Sequence, residues 1–394
     1  MPLGIYISVP FCKSKCSYCN FATGVVSKAA YARYVDRVSA DVANAEETAR
    51  CLGGRFERTV DSIFLGGGTP TLLDPADLER LFRALREHFA VVPNAEITVE
   101  CAPGTLTSVL LETLLRCGVN RVSLGVQSWV DAEAAAVGRL HTRARVLEDI
   151  SALRSAGISD INVDLIAGLP HQTPESWAYS ISETIASDVP HASVYMLEVD
   201  EDSRLGRELL AGGVKYHAHF VPEDDLSADF YSEACLRLEA AGIQQYEISN
   251  FARPGRESRH NLKYWQRLPY LGFGVDAHSM LPAVSDPRQA VRFAAPDDLN
   301  TFVAGAALAQ TDVSRREALE ESFFLGLRLT RGVNVKSLAA EFGEGALEGL
   351  SGAIVELVDD QLLQRTNDQI HLTPRGRLLS NEVFQRFLTL PTRG

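Results

Sequence analysis

Short apolar runs alternate with longer amphipathic stretches through the first half of the chain. The runs predict six strands, at 5–9, 62–66, 96–100, 121–126, 160–166 and 192–199. Between them, apolar residues recur at helical spacing, as over 77–89 and 106–118, and the second stretch ends in a glycine suited to a helix C-cap. Strands that alternate with helices indicate βαβ units and a parallel sheet. We therefore predict an α/β fold in which the six strands form a partial (β/α)6 barrel.

The pattern changes beyond residue 200. Further helices are predicted at 223–242, 314–329, 335–342 and 345–359. Residues 362–379 then indicate two short strands joined by a polar turn and a helix that begins near Pro374, as in the wing of a winged-helix domain. We predict a barrel domain with its C-terminal extension over 1–285 and a smaller α+β, winged-helix-like domain over 286–394.

Residues with useful chemistry follow the ends of the predicted strands. Cys12 follows the first strand, the segment GGGTP at 66–70 follows the second, and Glu100 ends the third. Gln127 follows the fourth strand and Asp164 lies within the fifth. In parallel α/β folds the chemistry lies at the carboxyl ends of the strands. We expect these residues to converge on one site.

Three cysteines, Cys12, Cys16 and Cys19, lie close together after the first strand. The next cysteine is Cys51, in a helical stretch, and the first histidine is His88. Closely spaced thiolates are typical of zinc sites and iron–sulfur clusters. Structural zinc takes four protein ligands, whereas three thiolates on a [4Fe–4S] cube leave one iron open. The spacing favours a cluster with an exchangeable position, with zinc and unreactive buried cysteines as the alternatives.

Composition and charge narrow the function classes. The chain has 394 residues, 46% of them hydrophobic, which suffices for one large and one smaller domain. No long apolar run or signal-peptide start is visible, and seven unevenly spread cysteines suit a reducing compartment, so we expect a cytoplasmic protein. The net charge of −13 opposes nucleic-acid binding. A winged-helix nucleic-acid binder remains an alternative, although 311–394 holds ten basic against twelve acidic residues.

The cysteine segment, CKSKCSYC at 12–19, resembles the signature of the radical S-adenosylmethionine (SAM) superfamily. The likeness lies in Cys-x3-Cys-x2-Cys with an aromatic residue before the third cysteine, on the loop after the first strand. It implies that the three cysteines bind a [4Fe–4S] cluster whose open iron is chelated by the amino and carboxylate groups of SAM. It also implies that an electron from the cluster cleaves the sulfonium to a 5′-deoxyadenosyl radical.

Within the superfamily, nearly the whole chain is similar to the coproporphyrinogen dehydrogenase branch. The positions at which that branch holds SAM correspond here to Tyr6, Tyr18, Gly67, Gly68, Thr69, Glu100, Gln127, Arg139, Asp164 and His278. The resemblance implies that the glycine-rich backbone approaches the methionine amino group and that Glu100 binds the ribose hydroxyls. Each of these residues also has an ordinary structural interpretation. The glycine-rich segment could be a turn, the charged residues could form structural ion pairs, and His278 could be a core histidine.

Two relatives in this branch differ at identifiable positions. The dehydrogenase motif continues to a fourth cysteine two positions after the third, where this chain has Phe21. The dehydrogenase also has an extension before its first strand, which we expect this chain to lack. The heme chaperones of the HemW type share the phenylalanine and have His-Asn-x-x-Tyr-Trp, present here as HNLKYW at 260–265.

The chain therefore resembles the HemW-type heme chaperones. That resemblance implies heme binding, an unidentified heme-acceptor protein, a reductant or heme donor, and peripheral membrane contact through the acceptor. It also implies that the chain lacks coproporphyrinogen III dehydrogenase activity. That activity is the alternative function if the chain is an enzyme.

The heme ligand is less determined by the sequence than the cluster ligands are. His260, beside Tyr264 and Trp265, is the candidate axial ligand, and its alternative role is to hold a loop by hydrogen bonds. His217 and His219 are further candidates. The cysteines outside the cluster motif are expected to be small buried hydrophobic residues: Cys51, Cys101, Cys117 and Cys235.

Overall fold

Six parallel strands form the wall of the larger domain. The structure, a computed structural model, describes residues 1–388. The strands are β1 (Leu3–Val9), β2 (Thr59–Gly67), β3 (Ala90–Cys101), β4 (Arg121–Gln127), β5 (Asp160–Ala167) and β6 (His191–Met196). Each strand pairs in parallel with the next one along the chain. The predicted α/β fold is confirmed, and each predicted strand falls on an observed one, although the sixth ends before residue 199.

The helices of this half cover the sheet with their apolar faces. They are α1 (Lys28–Ala43), α2 (Ala45–Cys51), α3 (Pro75–His88), α4 (Ser108–Arg116), α5 (Asp131–Ala136), α6 (Arg143–Ser155), α7 (Pro174–Ala186), α8 (Arg204–Ala211) and α9 (Asp224–Ala240). The buried residues of α3 are Leu78, Leu81, Phe82 and Leu85, which share one face at helical spacing. The start of α7 is fixed by a capping box between Thr173 and Ser176.

Shorter elements extend the sheet on both sides of the parallel strands. They are β7 (Gln244–Gln245), β8 (Asn250–Ala252), α10 (Arg259–Trp265), β9 (Tyr270–Gly274), β10 (His278–Pro282), β11 (Ala290–Ala294), α11 (Leu299–Val303) and β12 (Ala309–Val313). Strand β8 pairs with β6, and β9 pairs with β1. Because β1 and β6 are flanked in this way rather than paired with each other, the six parallel strands form a partial barrel within one twelve-stranded sheet.

The C-terminal part has its own small sheet. Its elements are α12 (Arg315–Gly326), β13 (Val333–Asn334), α13 (Val335–Phe342), α14 (Glu348–Asp359), β14 (Leu363–Thr366), β15 (Gln369–Leu372), α15 (Pro374–Leu378) and α16 (Ser380–Gln385). The antiparallel order is β13-β15-β14, so the predicted hairpin and the helix start at Pro374 are both confirmed. The predicted boundary after residue 285 lies in the turn between β10 and β11 and stays a prediction. Within residues 1–388, no helix is long and apolar enough to cross a membrane.

The C-terminal part packs against the barrel through a shared apolar core. Phe323 of α12 and Phe387 stack with ring centroids 4.9 Å apart at the centre of this core. Ile248, Met280 and Ala290 from the barrel side belong to the same buried cluster. Burial of this apolar surface fixes the C-terminal helices beside the open side of the barrel.

Candidate functional site

A cavity of about 390 Å³ lies at the carboxyl ends of the parallel strands. Eleven of the fourteen predicted site residues line it, namely Cys12, Cys16, Tyr18, Cys19, Gly67, Gly68, Thr69, Glu100, Gln127, Arg139 and Asp164. They come from β2 to β5 and from the segments that follow β1, β2 and α5. The expected convergence of these residues is therefore present in the structure, whereas the lining does not include Tyr6, His260 or His278.

The cysteine loop is held by backbone hydrogen bonds at both ends. The amide of Cys12 donates to the carbonyl of Gly24 at 3.0 Å, and the amide of Cys19 donates to that of Cys16 at 3.3 Å. Contacts with the segment after α5 bring the Arg139 guanidinium within 3.7 Å of the Cys16 sulfur. All three thiols are free of disulfides, and burial raises the pKa of the Cys12 thiol.

The three thiols fit an iron–sulfur cube better than a single metal ion. Among residues 1–388, no three His, Cys, Asp or Glu side chains meet closely enough to hold one metal ion. In a [4Fe–4S] cluster each thiolate binds a different iron, so the sulfurs surround the cube and need not meet at one point. The three unpaired thiols of the cysteine loop line one cavity and satisfy this requirement, and the one other lining thiol, on Cys101, lies outside the loop at the end of β3.

The glycine-rich segment after β2 runs directly against the start of the cysteine loop. The amide of Gly68 donates to the carbonyl of Val9 at 2.8 Å, and the amide of Thr69 donates to that of Phe11 at 2.7 Å. A Cβ atom at position 68 would lie 2.6 Å from the Phe11 carbonyl oxygen, so only glycine permits this approach. The segment thereby holds the cysteine loop in register with the barrel.

Two carboxyl groups, on the half-buried residues Glu100 and Asp164, form the inner wall of the cavity. Burial, followed by repulsion from Asp164, raises the pKa of Glu100 to about 8, and the hydrogen bond from the Gly67 amide opposes this shift. Burial also raises the pKa of Asp164, against hydrogen bonds donated by Ser123 at 3.0 Å and Asn162 at 2.7 Å. This wall can accept hydrogen bonds and balance a positive charge on a bound molecule.

Gln127 stands in an unusual backbone conformation. Its φ of 69° is in the left-handed region, and the register between β4 and β5 shifts between Gly125 and Gln127. The Arg139 guanidinium donates a hydrogen bond to the Gly125 carbonyl oxygen beside this irregularity. A bulge of this kind re-aims a side chain at a strand end, and here Gln127 lines the cavity.

The polar floor of the cavity was not predicted from the sequence. Asn162 donates to Ser123 at 2.7 Å and lies 2.6 Å from His191, while Ser193 donates to Asn250 at 2.8 Å. All five residues line the cavity. The available signal was the two-residue spacing of polar residues in otherwise apolar strands, at 162 and 164 in β5 and at 191 and 193 in β6, which places each pair on one face.

His260 lies outside the cavity and is buried, with 1% of its surface exposed. Its Nδ1 is 3.0 Å from the Ser62 hydroxyl and its Nε2 is 2.9 Å from the Tyr264 hydroxyl. Burial lowers the pKa of His260 to about 3, so the imidazole is neutral. With both nitrogens occupied, the geometry favours the alternative role, in which His260 holds α10 against β2. The predicted SAM residue Tyr6 packs beside it, with ring centroids 6.5 Å apart.

The other predicted histidines are also away from this cavity. His278 is two-thirds exposed in β10 and lies 3.6 Å from Asp276. His217 lies beside His171 on an exposed surface, with 3.2 Å between their ring nitrogens. The prediction of buried cysteines is confirmed for Cys101 and Cys117, whereas Cys235 is half-buried. It was wrong for Cys51, which is exposed because α2 buries Ala45 and Ala49 instead.

The partial barrel and the three-thiol loop define a radical SAM protein. The family model described as the radical SAM superfamily matches residues 6–183, and the model of the HemN C-terminal domain matches 313–379. The solved structure of coproporphyrinogen III oxidase (HemN) from Escherichia coli superposes with a TM-score of 0.82. The superposed region covers 98% of this chain and 90% of the HemN chain at 24% sequence identity, which establishes the common fold.

Curated relatives are similar over the full length. Heme chaperone HemW of Bacillus subtilis is 32% identical, over 97% of this chain and 98% of the relative. The Escherichia coli protein of the same name is 30% identical over 98% of both chains. A Bos taurus protein named radical S-adenosyl methionine domain-containing protein 1, mitochondrial, is 32% identical over 84% of this chain and 74% of its own. The chain belongs to the HemW family, which confirms the resemblance found in the sequence.

Proposed function

We propose that this chain is a heme chaperone that binds a [4Fe–4S] cluster, SAM and heme and transfers the heme to an acceptor protein. The observation that carries the proposal is the full-length similarity to the proteins named heme chaperone HemW. The residue at position 21 supports it, because phenylalanine stands where the dehydrogenase motif has a fourth cysteine.

Cys12, Cys16 and Cys19 are the proposed cluster ligands. When bound, the cluster supplies an electron and an open coordination position for SAM. The backbone at Gly67 and Gly68 offers a surface without side chains at the mouth of the cavity. The chain's further proposed contacts with SAM come from residues that line the same cavity, namely Tyr18, Thr69, Glu100, Gln127, Arg139 and Asp164.

Glu100 gives SAM binding a pH dependence. The carboxyl group is largely neutral below pH 8 because its pKa is raised to about 8. A cationic sulfonium and ribose hydroxyl donors favour the ionised form, so SAM affinity rises with pH through this pKa, by at most about tenfold per pH unit. We expect Glu100→Gln to weaken SAM binding at about pH 8.5 and to flatten this rise. Isothermal titration calorimetry of the reconstituted protein with SAM, from about pH 6.5 to 8.5, measures this pH dependence of the affinity.

The comparison between the wild type and Glu100→Gln isolates the contribution of Glu100 to the pH dependence of SAM affinity. The amino group of SAM titrates in the same range, but it does so equally for both proteins. Glu201→Gln, on an exposed residue, is the matched control and should keep the wild-type profile. An equal slope in Glu100→Gln and wild type would exclude Glu100 from SAM binding.

Heme transfer is the experiment that tests the proposed function. Heme-loaded protein is mixed anaerobically with a stoichiometric apocytochrome, and the acceptor's heme spectrum is followed. We expect faster transfer to the apocytochrome than to serum albumin, which reports passive dissociation. Equal rates to both acceptors, or a failure to load heme, would contradict the proposal.

A further inference from the structure

A second cavity, of about 490 Å³, lies between the open side of the barrel and the C-terminal helices. The cysteine loop contributes Phe21, the end of β6 contributes Tyr195 and Met196, and α10 contributes Tyr264 and Trp265. The C-terminal part contributes Arg328, just after α12, and Arg377 of α15. A cavity of this size suits one drug-sized molecule or cofactor. We call it the interdomain cavity.

The interdomain cavity offers flat apolar surface, which the protein leaves uncovered at the rim. Phe21 is 62% exposed and Tyr195 is 41% exposed at its rim. Tyr264 and Trp265 lie side by side in the wall, with ring centroids 6.4 Å apart. Aromatic side chains of this kind provide large apolar contact area for a planar ligand.

Two arginines in the same wall lack full compensation. Arg328 stacks over the Trp265 ring at 4.3 Å, and its nearest carboxylate oxygen, on Glu247, is 3.9 Å away. Arg377 makes no ion pair with any carboxylate in the described part of the chain. The Nε atoms of both arginines and the indole nitrogen of Trp265 are buried without a hydrogen-bond partner.

Such buried, unsatisfied donors are rare in folded proteins and costly unless a ligand completes them. Guanidinium groups bind carboxylates through paired, charge-assisted hydrogen bonds. A ligand with one flat apolar body and two carboxylates therefore satisfies both the aromatic wall and the arginines. Heme has this combination in its macrocycle and two propionates.

We propose that the interdomain cavity is the heme-carrying site, with the propionates on Arg328 and Arg377 and the macrocycle against Trp265. This inference rests on the proposed function, because it takes heme as the cargo. The interdomain cavity adjoins the cavity that contains the three cluster cysteines, which we call the cluster cavity, since Tyr18, Cys19 and Phe21 line both. A bound heme would therefore lie next to the cysteine loop.

The proposed site has no histidine among its described lining residues. Its side chains with iron-ligating atoms include the Met196 thioether and the Tyr195 hydroxyl, both of which are known types of heme ligand. This placement separates the heme site from His260, whose nitrogens are already hydrogen-bonded.

The test compares heme with its dimethyl ester, which keeps the macrocycle and lacks both charges. We expect the wild type to bind heme at least about tenfold more tightly than the diester, as charge-assisted hydrogen bonds predict. Arg328→Gln and Arg377→Gln should each weaken heme binding by about tenfold and leave diester binding unchanged. Titrations followed in the Soret band give all these affinities.

Arg375→Gln is the matched control, because Arg375 is exposed in the same helix α15 as Arg377. It should bind both ligands as the wild type does. Retained cluster absorption and SAM affinity report that each variant is folded.

The outcomes separate the two proposals. If the wild type binds neither ligand, the proposed function fails and this inference fails with it. If the wild type binds heme and the diester equally, the proposed function stands and the arginine site is wrong, whatever the variants do. Tight heme binding that survives both arginine substitutions would also overturn the site.

Discussion

Replacing Cys12, Cys16 or Cys19 by alanine should abolish the iron–sulfur absorption of the reconstituted protein at about 400 nm. Each change removes one of the three thiols that the cysteine loop brings to the cavity, and two thiols do not hold a cube with an open fourth position. Iron bound per chain should therefore fall close to zero rather than by a quarter. The measurement is iron and sulfide content beside the absorption spectrum.

Cys101 supplies a stringent control for this experiment because it lines the same cavity. Its sulfur lies 3.5 Å from the Thr105 hydroxyl, and burial raises the pKa of the thiol to about 11. Because Cys101 ends β3 and lies outside the cysteine loop, Cys101→Ala should keep the full cluster content. Cys235→Ala tests the same point outside the cavity. Iron loss in Cys101→Ala equal to that in Cys16→Ala would contradict the three-thiol assignment.

The sequence predicted the frame of this site well because its determinants are local. Apolar runs of strand length fixed β1 to β6, and parallel strands bring their carboxyl ends to one edge, so Cys12, Glu100 and Asp164 had to lie near one another. The glycine-rich segment was predictable in the same way, since its place after β2 follows from the strand pattern.

Other features depend on long-range contacts that a linear pattern does not contain. The bulge that aims Gln127 arises from the pairing of β4 with β5. The sequence around His260 is rich in turn-forming residues, yet His260 lies in α10, and the hydroxyl of Ser62 in the distant strand β2 contacts its ring nitrogen. The interdomain cavity needs Trp265 and Arg377, more than a hundred residues apart, to be brought together by the packing of α12 and α16 on the barrel. None of these contacts is encoded in local spacing.

We expect the reconstituted protein with SAM and a reductant to form no protoporphyrinogen from coproporphyrinogen III. The dehydrogenase motif has a fourth cysteine at the position of Phe21, and a phenyl ring supplies neither a thiolate nor an exchangeable hydrogen. The ring is exposed where the cluster cavity meets the interdomain cavity, so it is placed to contact a bound macrocycle instead. Substrate consumption should equal that of a blank without protein.

A coproporphyrinogen III dehydrogenase assayed in parallel shows that substrate, SAM and reductant are competent. The cluster content and SAM binding of the HemW-family protein must be measured on the same preparation, so that inactivity is not due to a lost cofactor. With these controls, any conversion well above the blank would assign decarboxylase chemistry to a site without the fourth cysteine.

The most direct measurement gives one anaerobic, reconstituted sample both heme and coproporphyrinogen III, with SAM and reductant present. Chromatography follows the porphyrinogens while difference spectra follow protein-bound heme. A heme chaperone retains about one heme per chain, as for a single cofactor site, and leaves coproporphyrinogen III unchanged. Formation of protoporphyrinogen without retained heme would contradict the chaperone function and establish the dehydrogenase.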